Sequence, residues 1–310
     1  MLISTISMME STTSHYALGS TDAEHERLIR QAAHLAPLTE RLFRDAGIGP
    51  GQRVLDLGSG VGDVAMLAAR LVGSSGEVVG VERDSRSITR ARARVAEAGL
   101  HNVSFTECDV SQVQSAKPFD AAVGRFILQF VSDPVAVLLG LSQLVRPGGV
   151  LAFQEVSYGP FLLLSAHLPL WSAGVSLIHE AFQRAGANTE IGLALNRIFQ
   201  EAGLPAPTMR MEILLGSHPD FTRWIYDLLC TLRPQIEKQN LSLEPLGDFE
   251  TLPARLQSEV AASKSVVPFV ALVGAWSYKS AGGHGCSSLQ KRRDDPDRVL
   301  SMPLARRLKV

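Results

Sequence analysis

At 310 residues, 45% apolar and 20% charged with a formal net charge of −1, the chain has the composition of a globular protein large enough for one α/β domain with insertions. That charge balance argues against a generally basic nucleic-acid surface. No apolar run is long enough to span a bilayer, since the longest, Phe161 to Leu170, is broken by Ser165, His167 and Pro169.

Met1 to Met9 carries no Lys or Arg and is interrupted by Ser and Thr, so it lacks the form of a signal peptide; Met1 to Ser14 reads as a disordered leader. Thr21-Asp22 predicts the N-cap of a helix from Ala23 to about Asp45, with Leu28, Leu35, Leu38 and Leu42 on one face and a kink at Pro37. Gln52 to Leu57 reads as a short buried strand carrying Asp56 near its end. Gly58, Gly60 and Gly62 follow at alternate positions, and then a helix from Val64 to Val72.

A strand, a glycine-rich turn and a helix form the opening of a mononucleotide-binding unit, with free N–H groups at the helix start. The spacing narrows the ligand. A dinucleotide fingerprint places Gly at the first, third and sixth positions, but the sixth position from Gly58 is Asp63, whose carboxylate repels a pyrophosphate. No Gly-Lys-Ser/Thr follows, which excludes a P-loop. Acids around a glycine turn suit a ligand with a cationic or polar head.

Glu77 to Val81 is a second buried strand ending in Glu82-Arg83-Asp84. Ser85 to Ala98 is the next helix, its Arg86, Arg90, Arg92 and Arg94 spread over a solvated face, with Gly99 ending it. Asn102 to Glu107 is a third strand leading to Cys108-Asp109-Val110. Pro118 to Gly124 is a fourth strand, followed by Arg125-Phe126-Ile127 and a helix capped by Asp133 with Pro134 in its first turn. Arg146-Pro147-Gly148-Gly149 reads as a tight turn before a fifth strand, Val150 to Val156. Helices are expected over Phe161 to Arg184, Ile191 to Glu201, Phe221 to Lys238 and Phe249 to Ala262. Further strands are expected over Pro207 to Gly216 and Pro268 to Tyr278.

From Tyr16 to Val156 this succession resembles the Rossmann-like, class I S-adenosylmethionine-dependent methyltransferases of small-molecule type. The resemblance rests on the acid-x-Gly-x-Gly-x-Gly turn, an acid at each of the next two strand ends, the Phe119-Asp120 pair, the Asp-Pro helix and Arg-Pro-Gly-Gly. It implies an α/β fold with a doubly wound seven-stranded sheet, mostly parallel with an antiparallel last strand, plus helical insertions at about 160–203 and 219–263. One domain is expected over 15–280, followed by a tail from 281 to 310 that reads as disordered.

The resemblance also implies the cofactor contacts. Asp56 lies near the amino-acid moiety of S-adenosylmethionine, and Gly58, Ser59, Gly60 and Gly62 pass beneath the ligand. Glu82 binds the ribose with Arg83 beside it, and Asp109 with Val110 holds the adenine. Asp84 caps a helix. Tyr16 and Gln31 are either lid contacts or surface residues of a packing helix. Arg125 pairs with the cofactor carboxylate, with a substrate anion, or with a carboxylate that holds its loop.

Methyl transfer to a small organic acceptor follows, O-methylation ahead of C- or N-methylation. Glu155, Tyr158 and His167 are the candidates for a catalytic group, with His179 a further one. The Asn/Asp-Pro-Pro-aromatic motif of amino methyltransferases acting on nucleic acid and protein glutamine is absent. Histidine and acid pairs spaced for a metal are absent too, so neither nucleic acid nor metal is expected. The three cysteines, Cys108, Cys230 and Cys286, show no CxxC or Cys/His spacing, which fits a reducing, cytoplasmic setting and speaks against zinc and disulfides. A monomer or homodimer is expected. The rival readings are a protein that binds S-adenosylmethionine without transferring methyl groups and a nicotinamide-dependent oxidoreductase. Asp63 and the lack of a Tyr-x-x-x-Lys pair disfavour the latter.

Overall fold

Strands buried on both faces set the architecture. In β1 (Arg53–Leu57), Val54 packs into one core while Leu55 and Leu57 pack into another, and all three are fully buried. The structure is a computed structural model that describes residues 18–280; the expected leader, Tyr16, Cys286 and the tail from 281 lie outside those residues.

Along the chain follow β2 (Glu77–Glu82), β3 (Val103–Glu107), β4 (Phe119–Arg125), β5 (Val145–Ser157) and β6 (Thr208–Glu212), then β7 (Leu215–Gly216), β8 (Val267–Pro268) and β9 (Ala271–Tyr278). Seven of these form one sheet in the order β3-β2-β1-β4-β5-β9-β6. β1 to β5 pair in parallel, and β9 inserts antiparallel between β5 and β6. This is the expected mostly parallel sheet with its last strand reversed. The order turns around between β1 and β4, the switch point at whose carboxyl edge open α/β sheets bind ligands.

One face of the sheet carries α2 (Asp63–Val72), α3 (Ser85–Glu97) and the C-terminal half of α1 (Asp22–Asp45), which runs through Pro37 as one helix. The other core takes in α4 (Pro134–Leu144) and α7 (Ile191–Glu201), and extends into a cap of α5 (Tyr158–Ser165), α6 (Pro169–Arg184), α8 (Pro219–Lys238) and α9 (Leu252–Ala262). Asp120 ties strand starts together: it accepts from the Arg53 N–H at 2.7 Å and from Arg146 at 2.6 Å.

Four local expectations are corrected. The single helix expected over Phe161 to Arg184 is two, because Pro169 lacks an N–H for a continuing ladder and instead opens α6. Glu259 of α9 caps that helix, taking the N–H groups of Leu170 and Trp171 at 2.7 and 2.9 Å. The strand expected over Pro207 to Gly216 ends at Glu212. Leu215–Gly216 pairs with Val267–Pro268 in a separate ribbon, where Pro268 has no N–H to carry the ladder further. Arg146 to Gly149 is no free-standing turn, since the β4–β5 pairing jumps from Phe119↔Val145 to Ala121↔Val150 around it. Finally, not every arginine of α3 is solvated: Arg86 and Arg92 stay exposed, but Arg94 is drawn under the glycine turn. Arg94 donates to the Val61 carbonyl at 2.6 Å and to Asp63 at 2.7 Å, closing the end of the glycine turn, and Arg92 donates to the Phe105 carbonyl.

Gly62 caps α2 at φ 87°, and a Cβ there would stand 3.1 Å from the Ala91 Cβ and 3.2 Å from the Phe105 ring. Gly62→Ala therefore combines a left-handed backbone cost with crowding, and is expected to lower the unfolding free energy by about 1–3 kcal/mol. Urea denaturation measures this; an unchanged midpoint and slope would show that neither constraint operates.

Candidate functional site

At the switch point, the turn after β1 and the loop after β4 open into a cavity of about 1100 Å³ that reaches from the ends of β1, β2 and β3 to the underside of the cap. The glycine turn is wound tightly, with Gly58, Gly60 and Gly62 all at positive φ and the Gly62 N–H donating to the Ser59 carbonyl at 2.8 Å. The three glycines serve different ends. A Cβ at Gly58 would lie 2.6 Å from the Ile127 side chain, and Gly62 faces Ala91 and Phe105. Only at Gly60 does the Cβ position open into free space. Ser59 is buried on the cavity wall with its Oγ unpartnered.

Glu82 knits the ends of β1 and β2 together. Its Oε2 accepts from the Gly60 N–H at 2.9 Å and its Oε1 accepts from the N–H groups of Arg83 and Asp84 at 2.8 and 3.0 Å. A carboxylate has about four lone-pair positions, so acceptor capacity remains toward the cavity, which Glu82 lines. Asp84 takes the Ser87 N–H at 2.7 Å and caps α3. Asp109 also lines the cavity, accepting from the Ser111 N–H and hydroxyl, which hold its carboxyl below the usual range together with the nearby Arg83 charge. Val110 and Arg83 stand beside it on the wall.

Asp56 is placed differently from the expectation. It is buried behind the turn, accepts from the Ala65 N–H at the start of α2, leaves Oδ2 unpartnered, and does not line the cavity. Burial pushes its carboxyl up to about 8, against the pull of the Arg125 guanidinium. Arg125 reaches the cavity wall from the end of β4 and donates to Thr39 at 3.0 Å.

The loop after β4 is held from behind by β5. Phe126 sits at φ 57°, a rare state for a bulky side chain, with its N–H on the Gln154 carbonyl. Glu155 is fully buried and its Oε1 accepts from the N–H groups of Ile127 and Leu128 at 3.0 and 2.9 Å, while Oε2 has no partner. Burial raises its carboxyl to about 8 against these donors and that of Gln129. Glu155 is thus turned away from the cavity, which its neighbour Val156 lines. His167 is also away from it, exposed between α5 and α6 and bonded to Ser265 at 2.7 Å. Of the candidate catalytic groups only Tyr158 lines the cavity, stacked at 5.3 Å on His179, whose Nε2 meets Thr189.

Gln31, a candidate lid contact, lines the cavity. Two features do not follow from the sequence pattern as read above. One is the buried pair behind Gln31, in which Glu24 binds Arg27 through two 2.6 Å hydrogen bonds while Arg27 donates to Gln31 at 2.6 Å. Glu24 and Arg27, spaced for one helix face with Gln31 a turn further on, carry the signal that could have found it. The other is the aromatic lining under the cap, which comes from helices far apart in sequence. Among the described residues no group of His, Cys, Asp and Glu is placed to hold a metal ion, and no helix is long and apolar enough to cross a membrane.

A glycine turn beneath a cavity at the switch point, with an acid at the end of each of the next two strands, defines a nucleoside-binding α/β protein. A family model described as "Methyltransferase domain" matches residues 48–203, half of the chain, and the chain belongs to this family of S-adenosylmethionine-dependent methyltransferases. It is 33% identical over 114 residues to a ubiquinone/menaquinone biosynthesis C-methyltransferase of Cellvibrio japonicus, covering 36% of this chain and 46% of that one. It is 32% identical over 112 residues to an arsenite methyltransferase of Halobacterium salinarum, covering 36% and 29%. The matches thus span about half, or less, of these curated relatives. Among solved structures, the YcgJ protein of Bacillus subtilis aligns with a TM-score of 0.52 at 14% identity, over 81% of this chain and all of that one. A candidate methyltransferase from Bacillus halodurans C-125 does so at 0.52 and 17%, over 78% and 98%. These two share the fold.

Two buried carboxyls titrating near 8 set a pH dependence. A group held protonated in the folded state contributes stability that is complete below its unfolded pKa and fades as pH rises through its folded pKa. For Glu155 and Asp56 that window runs from about 4–4.5 to 8. Stability is expected to fall between pH 5.5 and 8, by at most about 1.4 kcal/mol per pH unit for each proton. Glu155→Gln, which keeps the acceptor oxygen, should flatten that slope in urea melts; a variant slope equal to the wild type's would contradict the assignment.

Proposed function

We propose that the chain transfers a methyl group from S-adenosylmethionine to a small, largely apolar organic acceptor, to oxygen before carbon or nitrogen. The observation that carries this is the continuity of one cavity from the Gly60 turn and the strand-end acids to the underside of the cap. The residues suit the cofactor. A Cβ at Gly60 would fill the cradle, Glu82 has acceptor capacity left for the ribose hydroxyls, and Asp109 stands where an adenine amino group needs an acceptor. Gln31 and Arg125 complete the wall, with Arg125 the cation for a carboxylate.

When bound, S-adenosylmethionine supplies a methyl carbon on a cationic sulfur, which keeps the bonding pair as that carbon joins the acceptor. The chain's part is to hold the nucleophile in line and to exclude water. No histidine among the described residues lines the cavity, and its carboxylates stand on the strand-end turns and at the cap of α4. The acceptor's proton therefore goes to solvent and not to a dedicated base. Carbon methylation is the second reading, supported by the C-methyltransferase relative. Arsenite is not carried over from the other, since Cys108 and Cys230 are unpaired and far apart in sequence. A cytoplasmic location belongs to the same proposal.

Incubation with methyl-labelled S-adenosylmethionine and a panel of phenols, quinones and amines tests the reaction; label in a phenol ether is the expected product, and no label in any acceptor would count against transfer. For the cofactor site, Glu82→Gln removes the charge that holds both the ribose and the Gly60 N–H, and should weaken S-adenosylmethionine binding roughly tenfold or more. Asp84→Asn should leave affinity nearly unchanged and cost at most about 1 kcal/mol of stability, since Asn also caps well. Calorimetric titration separates the two; the reverse pattern would move the ribose contact to Asp84.

A further inference from the structure

Six aromatic rings run in a chain beneath the cap. Phe130 meets Phe182 at 6.1 Å, Phe182 meets Tyr158 at 6.2 Å and Tyr158 meets Phe161 at 6.0 Å. Phe161 then meets Trp224 at 5.4 Å, and Trp224 meets Phe269 at 4.5 Å. All but Phe161 line the cavity. Tilted and edge-to-face contacts of this kind fix each ring against its neighbours, so the wall presents a set of locked π-surfaces among aliphatic neighbours such as Val156, Leu228 and Val270. A saturated guest gains only area against such a wall, whereas a planar guest also gains ring-on-ring contact.

Among the described residues, two polar groups of this wall have no hydrogen-bond partner, the buried Trp224 Nε1 and the Tyr158 hydroxyl. The Tyr158 ring is buried and stacked, its hydroxyl is without a partner among the described residues, and Arg27 of α1 lines the same cavity, its charge acting on the phenol. Burial pushes the phenol up, so it stays an O–H donor throughout the working pH range. The Arg27 charge, partly balanced by Glu24, favours an oxygen that carries developing negative charge. A donor and a cation at one point of a π-lined wall that holds no carboxylate or imidazole of its own select an acceptor with both a ring and an acidic hydroxyl.

We propose that the methyl acceptor is a planar hydroxyaromatic compound, its ring laid on this wall and its hydroxyl oxygen accepting from Tyr158 opposite Arg27. This rests on the methyl-transfer reading and narrows it. Tyr158 and Arg27 lower the cost of the oxyanion, which explains a cavity without a general base. The methyl carbon–sulfur bond breaks, a bond to the phenolic oxygen or to the adjacent ring carbon forms, and the proton from that oxygen or carbon passes to solvent.

The test is direct binding, which does not depend on turnover. Full-length protein is titrated with 2-naphthol and with its saturated counterpart decahydro-2-naphthol, alone and with S-adenosylhomocysteine, by calorimetry and tryptophan fluorescence. 2-Naphthol should bind about tenfold or more tightly than the saturated alcohol. Tyr158→Phe, which keeps the ring and its packing, should weaken 2-naphthol by about tenfold and leave naphthalene unchanged. Equal affinity for the two alcohols, no binding of either, or a Tyr158→Phe variant that binds 2-naphthol as the wild type does would overturn the proposal. The S-adenosylhomocysteine titration reports separately on the methyl-transfer reading. If it fails while 2-naphthol is still discriminated, the aromatic site stands and the cofactor assignment falls.

Discussion

The hydrogen bond from the Gly60 N–H to the Glu82 carboxylate, at 2.9 Å, joins the ends of two neighbouring strands and fixes the floor of the cavity. It depends on Gly60 being free to adopt a positive φ, and on β1 and β2 being in register so that Leu57 pairs with Val81 just before Glu82. The rest of the turn is braced outward from there. Arg94 closes its far end through Val61 and Asp63, and Ile127 packs where Gly58 lacks a side chain. One carboxylate thus has both a structural task and a place on the ligand wall, which is the economy expected where a backbone must approach a ligand closely.

The second brace comes from β5. Glu155 gathers the N–H groups after β4, and Gln154 takes that of Phe126, so the loop carrying Arg125, Phe126 and Phe130 is held by a strand that itself stays out of the cavity apart from Val156. Charge is managed by burial in pairs: Glu24 with Arg27 and Asp63 with Arg94, while Asp56 and Glu155 are shifted toward their neutral forms. Pairing and burial mute these charges, and the half-buried strand-end acids with Arg83, Arg125 and the part of the Arg27 charge that Glu24 leaves unbalanced are the groups that discriminate between ligands by charge.

What the sequence disclosed follows from the range of the interactions involved. The glycine turn, the caps by Asp84 and Asp133 and the strand-end positions of Glu82 and Asp109 are local, set by residues within a few positions of one another. Glu155 differs from its expected place because the end of a strand can be located from sequence while the side to which a residue points cannot; alternation places Val156 in the cavity and Glu155 behind the loop. His167 falls at a helix break created by Pro169, which turns it outward. The positive φ of Phe126 and the aromatic wall arise from contacts between elements distant in the chain, and no short pattern announces them.

We propose that the strand-end acids and the Gly60 turn are built for a ligand with a cationic head and no pyrophosphate. Parallel calorimetric titrations with S-adenosylmethionine and with NADH test it most directly. Saturable one-to-one binding of S-adenosylmethionine with no heat from NADH is the predicted result. Binding of NADH in preference to S-adenosylmethionine would contradict it.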